Sequence, residues 1–264
     1  MMGLRILSLY SGSSGNAFAI CAPSGTILID AGKNAKHLNA ALAEGGVDAT
    51  RIGAILLTHE HSDHVSALGV WIKKHPMPIH LPVACLPRFA GETSVEPHLC
   101  PHPPIWTQEI CGMTVTSFPT PHDSRGSVGY RIEIPTEQGV FRLGYATDLG
   151  YVSAEVEEGL SGCDAVILES NHDPEMLQYG PYPYELKRRI ASRRGHLSNP
   201  DSACLASRLC AAGTRYLLLA HLSRENNTPD TAFDACLSAV GDDGVRIRVA
   251  HPDAVTVLLE EEDA

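Results

Sequence analysis

The sequence contains no Cys-x-x-Cys pair. Its eight cysteines, Cys21, Cys85, Cys100, Cys111, Cys163, Cys204, Cys210 and Cys236, are widely spaced, which argues against a disulfide framework and reads as reduced, mostly buried thiols in a cytosolic chain. No apolar run approaches transmembrane length, and Met1 to Tyr10 lack the basic flank and long apolar core of a secretory signal. The expected location is therefore the cytoplasm, with no membrane partner. Positive charge is scarce: 20 Lys and Arg against 31 Asp and Glu give a net charge of −11. A surface coated with cations for nonspecific nucleic-acid binding is excluded, although a local basic patch can still do that work. Internal repeats and low-complexity linkers are also missing. The 264 residues, 44% of them hydrophobic, suffice for a sizeable core, and one domain over 1–264 is the expected organisation.

Alternating or apolar runs predict short strands at Leu4 to Tyr10, Ala17 to Cys21 and Thr26 to Asp30, separated by Gly and Ser turns. A helix is expected over Ala35 to Glu44, stopped by Gly45-Gly46, and a buried strand over Gly53 to Leu57. The stretch from Pro76 to Pro104 holds eight prolines, which predicts an irregular surface excursion with at most short helices and strands. Strands return at Met113 to Phe118, Val128 to Ile134, Val140 to Ala146, Ala165 to Leu168, Tyr216 to Leu219, Val245 to Val249 and Ala254 to Leu258. Helices are expected near Tyr184 to Ser192, Asp201 to Ala212 and Asp230 to Val240. This order implies an α/β chain of α+β type, with two packed mixed sheets flanked by helices.

The strongest chemical signal is Thr58-His59-Glu60-His61-Ser62-Asp63-His64, where three imidazoles and a carboxylate crowd a loop just beyond a strand end. Imidazole nitrogen and carboxylate oxygen suit borderline divalent ions, and both are in ligating form near neutral pH. A histidine-rich surface loop is the bland alternative, but it gives no reason for the position after a strand.

The pattern resembles the signature of the metallo-β-lactamase superfamily, whose fold is an αββα sandwich with metals at one edge. That resemblance extends down the chain. Asp30, before Ala31-Gly32, matches the aspartate that supports the metal-binding histidines, although turn capping is its ordinary alternative. His122 in Pro121-His122-Asp123-Ser124 resembles a ligand of nucleic-acid-processing members, Asp148 in Ala146-Thr147-Asp148 a carboxylate bridging two ions, and His221 in Leu219-Ala220-His221 the last ligand. The resemblance implies that His59, His61 and His122 hold one ion, that Asp63, His64 and His221 hold the other, and that Asp148 lies between. Two such ions, zinc or manganese, acidify a bridging water and neutralise charge on phosphoryl oxygens.

In tRNA-processing relatives a strand-end glutamate orients a histidine near the leaving oxygen, and Glu169 and His196 resemble that pair; the histidine acts as general acid. Catalysis is thus expected from Asp63, Glu169 and His196. The bland reading of His196 is a residue preceding a helix that Asn199-Pro200 starts.

Ser11-Gly-Ser-Ser-Gly-Asn16, Glu169-Ser-Asn-His-Asp173, Gly180-Pro-Tyr-Pro-Tyr184, Gly195-His-Leu-Ser-Asn199 and His221-Leu-Ser-Arg-Glu-Asn-Asn227 resemble the WalJ/YycJ family over essentially the whole chain. Its members are associated with 5′-to-3′ exonuclease activity on double-stranded DNA in bacteria. DNA is the partner this implies. Lys187, Arg188, Arg189, Arg193 and Arg194 put five cations into eight positions, a local reversal of the acidic balance; on one continuous helix Lys187 and Arg194 would share a face, with the remaining cations spread around it near His196. A solvated charged helix is the competing reading. Two other function classes stay open at this point: a small-molecule phosphodiesterase or thioesterase on the same metal core, and a noncatalytic metal-dependent nucleic-acid binder. The intact bridging carboxylate and candidate acid disfavour the latter. His98, Cys100, His102 and Cys111 lack two tight ligand pairs and are not expected to form a zinc site. His37, His75, His80 and His251 read as surface or structural residues. His172, Asn16, Asn226 and Asn227 are left open between substrate contact and loop shaping.

Overall fold

A computed structural model describes residues 3–241 and 244–260. Period-two alternation organises its first half. Ile6 of β1 (Arg5–Tyr10), Phe18 and Ile20 of β2 (Ala17–Ala22), and Ile27 and Ile29 of β3 (Gly25–Ile29) pack to one side of a sheet, while Leu7, Leu9, Ala19 and Leu28 pack to the other. A sheet with apolar residues on both faces must be covered on both. Helix α1 (Ala35–Glu44) supplies one cover: Asn34 caps its N-terminus by accepting from the His37 amide, and Leu38, Ala41 and Leu42 face the sheet. The chain continues through β4 (Ile52–Leu56), the short helices α2 (Ser62–Val65) and α3 (Leu68–Trp71), β5 (Ile79–Pro82) and β6 (Leu99–His102).

A second sheet starts with β7 (Thr107–Ile110), β8 (Met113–Pro119), β9 (Val128–Thr136) and β10 (Gly139–Ala146), all antiparallel neighbours. It goes on through α4 (Ala154–Leu160), β11 (Ala165–Glu169), α5 (Pro174–Tyr179), α6 (Tyr184–Ile190), α7 (Asn199–Ala211), β12 (Tyr216–Ala220), α8 (Pro229–Val240) and β13 (Arg246–Val249). Strand β14 (Thr256–Glu260) returns to the first sheet beside β1. The strand orders are β14-β1-β2-β3-β4-β5-β6 and β13-β12-β11-β10-β9-β8-β7. Ile27 and Phe18 meet Tyr130, Ile132, Tyr145 and Ile167 between the sheets; on the outer face of the second sheet Val166, Leu168 and Leu219 meet Val156, Leu205 and Leu209. The layers are therefore helix, sheet, sheet, helix, as expected.

Three details depart from the sequence reading. The proline-rich stretch adds β5 and β6 as parallel strands that extend the first sheet, β6 forming its edge, with Leu81, Cys85 and Phe89 buried beneath it; proline is compatible with an edge strand such as β6. Helix α6 stops at Ile190, so Arg193 and Arg194 lie beyond the helix and do not share a face with Lys187. The stop has a steric cause: a Cβ on Gly195 would come within 2.2 Å of the Arg189 and Ile190 carbonyl oxygens, so glycine lets the chain fold back there. The last strand begins two residues later than expected, at Thr256. All eight cysteines are free, and four of them, Cys21, Cys85, Cys163 and Cys236, are buried. No described helix is long and apolar enough to cross a membrane.

Candidate metal centre

Five strand ends converge on one edge of the sandwich, and each delivers a reactive side chain. Asp30 follows β3, Thr58 and His59 follow β4, Asp148 follows β10, Glu169 closes β11 and His221 follows β12. Asp30, Asp148 and His221 sit at φ of 59°, 60° and 58°, the left-handed region that costs a non-glycine residue about 1–3 kcal/mol. Local hydrogen bonds offset this. The Asp30 carboxylate accepts from the Thr58 amide at 2.9 Å, from Thr58 Oγ1 at 2.9 Å and from His64 Nδ1 at 2.8 Å. The His221 amide donates to Ser11 Oγ at 2.9 Å. Gly32 allows the remaining loop to close, because a Cβ there would lie 1.9 Å from the Asp63 carbonyl oxygen and 2.6 Å from the Asn16 nitrogen.

These contacts also settle which nitrogen of each imidazole is available. Thr58 Oγ1 donates to Asp30 and so accepts from His59 Nδ1 at 3.0 Å. His64 Nδ1 donates to Asp30, His122 Nδ1 to the Gly195 carbonyl at 3.1 Å, and His221 Nδ1 to Glu169 Oε1 at 3.1 Å. With Nδ1 carrying the proton, the four Nε2 atoms present lone pairs to the same small volume, the outer-sphere arrangement that orients histidine ligands.

The donor atoms fall into overlapping groups, each with its ligand atoms within 4.8 Å of one another: His59, His61 and His122; Asp63, His64 and His221; and His59, His64 and Asp148. Asp148 reaches both sides, with Oδ2 3.3 Å from His64 Nε2 and Oδ1 3.5 Å from His221 Nε2 and 3.7 Å from His122 Nε2. Two observations fit a cation here. His59 Nε2 and Asp148 Oδ2 are buried without a hydrogen-bond partner among the described residues, which a protein rarely tolerates. His61 Nδ1 also lies 3.3 Å from the His122 Nε2 lone pair, an approach that needs a proton or a metal between them. The electrostatics agree. Burial and neighbouring histidines push His59 well below the usual imidazole range. Burial disfavours charge on His221 and His64 as well, yet Asp148, Asp63, Glu169 and Asp30 overcome it and raise both, His221 to about 10. The carboxylates thus leave excess negative charge for a cation to neutralise.

Glu169, fully buried at the end of β11, connects this centre to His196. Its Oε1 accepts from His196 Nδ1 at 2.8 Å, and its Oε2 from the Leu149 and Leu197 amides at 2.6 and 3.1 Å. Burial alone would raise its pKa, but His196 and His221 hold it down at about 2. The fold-back at Gly195 presents His196, whose side chain stays 20% exposed, beside Asp148 at 3.6 Å. His196 can be grouped with Asp148, Glu169 and His221 as a set of metal-capable donors. Its Nδ1 is occupied by Glu169, however, which leaves Nε2 as its only free nitrogen.

The basic residues border the site unevenly. Arg189 Nε pairs with Asp123 Oδ2 at 2.5 Å, next to His122. Arg194 donates to the His122 carbonyl at 3.4 Å and Arg193 stacks 3.9 Å over the Tyr151 ring. Lys187 donates to the Gln178 carbonyl, and Arg188 faces Glu185 from an exposed position. Ser11, Thr58 and Asn171 support the centre without having been singled out by sequence; Asn171 Nδ2 donates to the His221 carbonyl at 2.8 Å. Asn16, which sequence left open, is fully buried with Nδ2 3.2 Å from His64 Nε2. Asn227 holds loops together through Asn199 and the Ser170 carbonyl. His172 is buried, with Nδ1 lacking a hydrogen-bond partner among the described residues. His98, Cys100, His102 and Cys111 form no three-donor group among the described residues.

Comparison with known proteins matches this architecture. Residues 25–222 match the model of the beta-lactamase superfamily domain. Exodeoxyribonuclease YycJ of Bacillus anthracis is 33% identical over 242 residues, 88% of this chain and 87% of that protein. Exodeoxyribonuclease WalJ of Streptococcus pneumoniae is 32% identical over 271 residues, 98% of each. Among solved structures, the metallo-beta-lactamase fold protein YhfI of Bacillus subtilis superposes with a TM-score of 0.73 at 18% identity, covering 97% of this chain and 100% of that one. The chain belongs to the metallo-β-lactamase superfamily and, within it, to the YycJ/WalJ family of exonucleases.

Proposed function

We propose that this chain hydrolyses phosphodiester bonds at DNA ends, in the 5′-to-3′ direction carried over from the family resemblance, with two divalent ions of zinc or manganese. His59, His61 and His122 would hold one ion, Asp63, His64 and His221 the other, and Asp148 both. The observation that carries this reading is the pair of donor groups spanned by Asp148 and adjoined by the Glu169–His196 pair. When bound, the ions supply the positive charge that acidifies a water and offsets charge on the phosphoryl oxygens. Asp30 and Thr58 hold the imidazoles of His64 and His59 in ligating orientation. Ionised Glu169 fixes the proton of His196 on Nδ1 and turns Nε2 toward the open side, where it can pass a proton to the leaving oxygen. Asp63 combines ligation with orientation of His221, 3.5 Å away. Lys187, Arg188, Arg189, Arg193 and Arg194 would meet strand phosphates next to the centre, with residues 1–264 acting as one domain.

The test is hydrolysis of end-labelled duplex DNA by the metal-reconstituted protein, with a cyclic phosphodiester as control. Stepwise release of nucleotides from 5′ ends supports the reading. Cleavage of the cyclic diester without DNA hydrolysis would replace it with a small-molecule phosphodiesterase.

A further inference from the structure

Beside His122 lies a cavity of about 240 Å³. Pockets for drug-sized ligands run about 300–1,000 Å³, so this one suits a single nucleoside rather than a length of strand. Pro82, Val83, Ala84 and Pro104 contribute apolar wall, and Ser124 and Arg125 also line the cavity. Ser124 Oγ is itself buried and has no hydrogen-bond partner among the described residues, so the polar group open to a ligand is that of Arg125. The Arg125 side chain is exposed and makes no ion pair or hydrogen bond among the described residues; its backbone amide alone is engaged, donating to Glu60 Oε1 at 2.9 Å.

The rim is fixed before anything binds. The single S–H of Cys85 is shared between Glu60 Oε2 and the Gly126 carbonyl, each 3.2 Å from Sγ, which links the loop after β4 to the loop carrying His122. Thr120 Oγ1 donates to Ser127 Oγ at 2.7 Å and closes the base of that loop. A mostly apolar recess sharing His122 with the metal centre, with one guanidinium at its edge that has no partner among the described residues, has the features of a site for a flat heterocycle joined to an anion.

We infer that this cavity seats the terminal nucleoside of a bound strand, its base between the proline and Val83 surfaces and Arg125 on the adjoining phosphate. The inference rests on the nuclease reading and specifies where that substrate ends.

Direct calorimetry on the full-length, metal-loaded protein tests it without requiring turnover, using dAMP, deoxyribose 5-phosphate and inorganic phosphate as probes. Base contact predicts that dAMP binds on the order of tenfold tighter than deoxyribose 5-phosphate. Ala84→Trp, an exposed position whose larger side chain fills the cavity, should erase that difference while metal content is retained. Arg125→Ala should weaken both sugar phosphates together. Equal affinity of the wild-type protein for dAMP and deoxyribose 5-phosphate, or a base preference that survives Ala84→Trp, overturns the assignment. DNA hydrolysis by a protein with no base preference would remove the cavity's role alone; a base preference without DNA hydrolysis would keep the cavity and remove the polymer substrate.

Discussion

The strand-end cluster and the neighbouring basic segment carry opposite charge and are built by different means. Asp148 is 2% exposed and Glu169 0%, and Asp30, Glu169 and the histidines His59, His64 and His221 hold one another through buried hydrogen bonds. Arg188, by contrast, leaves 64% of its side chain in water and, among the described residues, faces Glu185 and the Tyr184 ring. Removing one member of a buried charged network costs about 3–5 kcal/mol, whereas an exposed pair is worth about 0–1 kcal/mol. The buried network therefore fixes its own geometry, whereas an exposed cation such as Arg188 is held only weakly and its interactions are open to screening by salt.

This contrast orders the expected effects of mutation. Asp148→Ala should be the most severe, because it removes metal as well as charge stabilisation and should lower the rate by more than about 10⁴-fold. Metal analysis together with turnover checks it: both should fall, and full activity in this variant would break the assignment. His196→Ala should lower single-turnover rates by about 10²–10⁴-fold, the range for a general acid, while leaving both ions bound. Glu169→Gln should reduce the rate in the same assay, since Glu169 orients His196. Loss of metal from His196→Ala would instead make His196 a ligand. Asp30→Asn removes the negative charge and one of the two oxygens that accept from Thr58 and His64 Nδ1, and should weaken metal affinity by about 10–100-fold, measured by chelator competition. At the basic segment, Arg188→Glu with Arg193→Glu should flatten the logarithmic salt slope of DNA binding by about 1 for each strand phosphate the protein no longer neutralises, with metal content unchanged. An unaltered slope would remove these residues from the DNA path.

What the sequence disclosed follows the same division. The spacing of His59, His61, Asp63 and His64 encodes the centre locally, because the end of β4 and the short helix α2 that follows position all four. Asp30, Asp148, Glu169 and His221 were readable from strand ends and family motifs taken in order. The hydrogen bonds that hold them were less so: Ser11 reaches the His221 amide across 210 positions, and nothing in a Gly- and Ser-rich turn specifies that partner. The basic run illustrates the converse limit. Its composition implied a continuous helix face, yet close packing of Gly195 against the Arg189 and Ile190 carbonyls ends α6 and sends Arg193 to Tyr151. The proline-rich stretch was least legible because its strands pair with the sheet edge through backbone groups, which side-chain periodicity does not record.

The two-ion centre is tested most directly by counting metal ions per chain after reconstitution with zinc and, separately, with manganese, alongside turnover on end-labelled DNA. Two ions per fully active chain is the expected result, since seven donors sharing Asp148 exceed one tetrahedral site. Full activity with a stoichiometry that stays at one in both metals would contradict it.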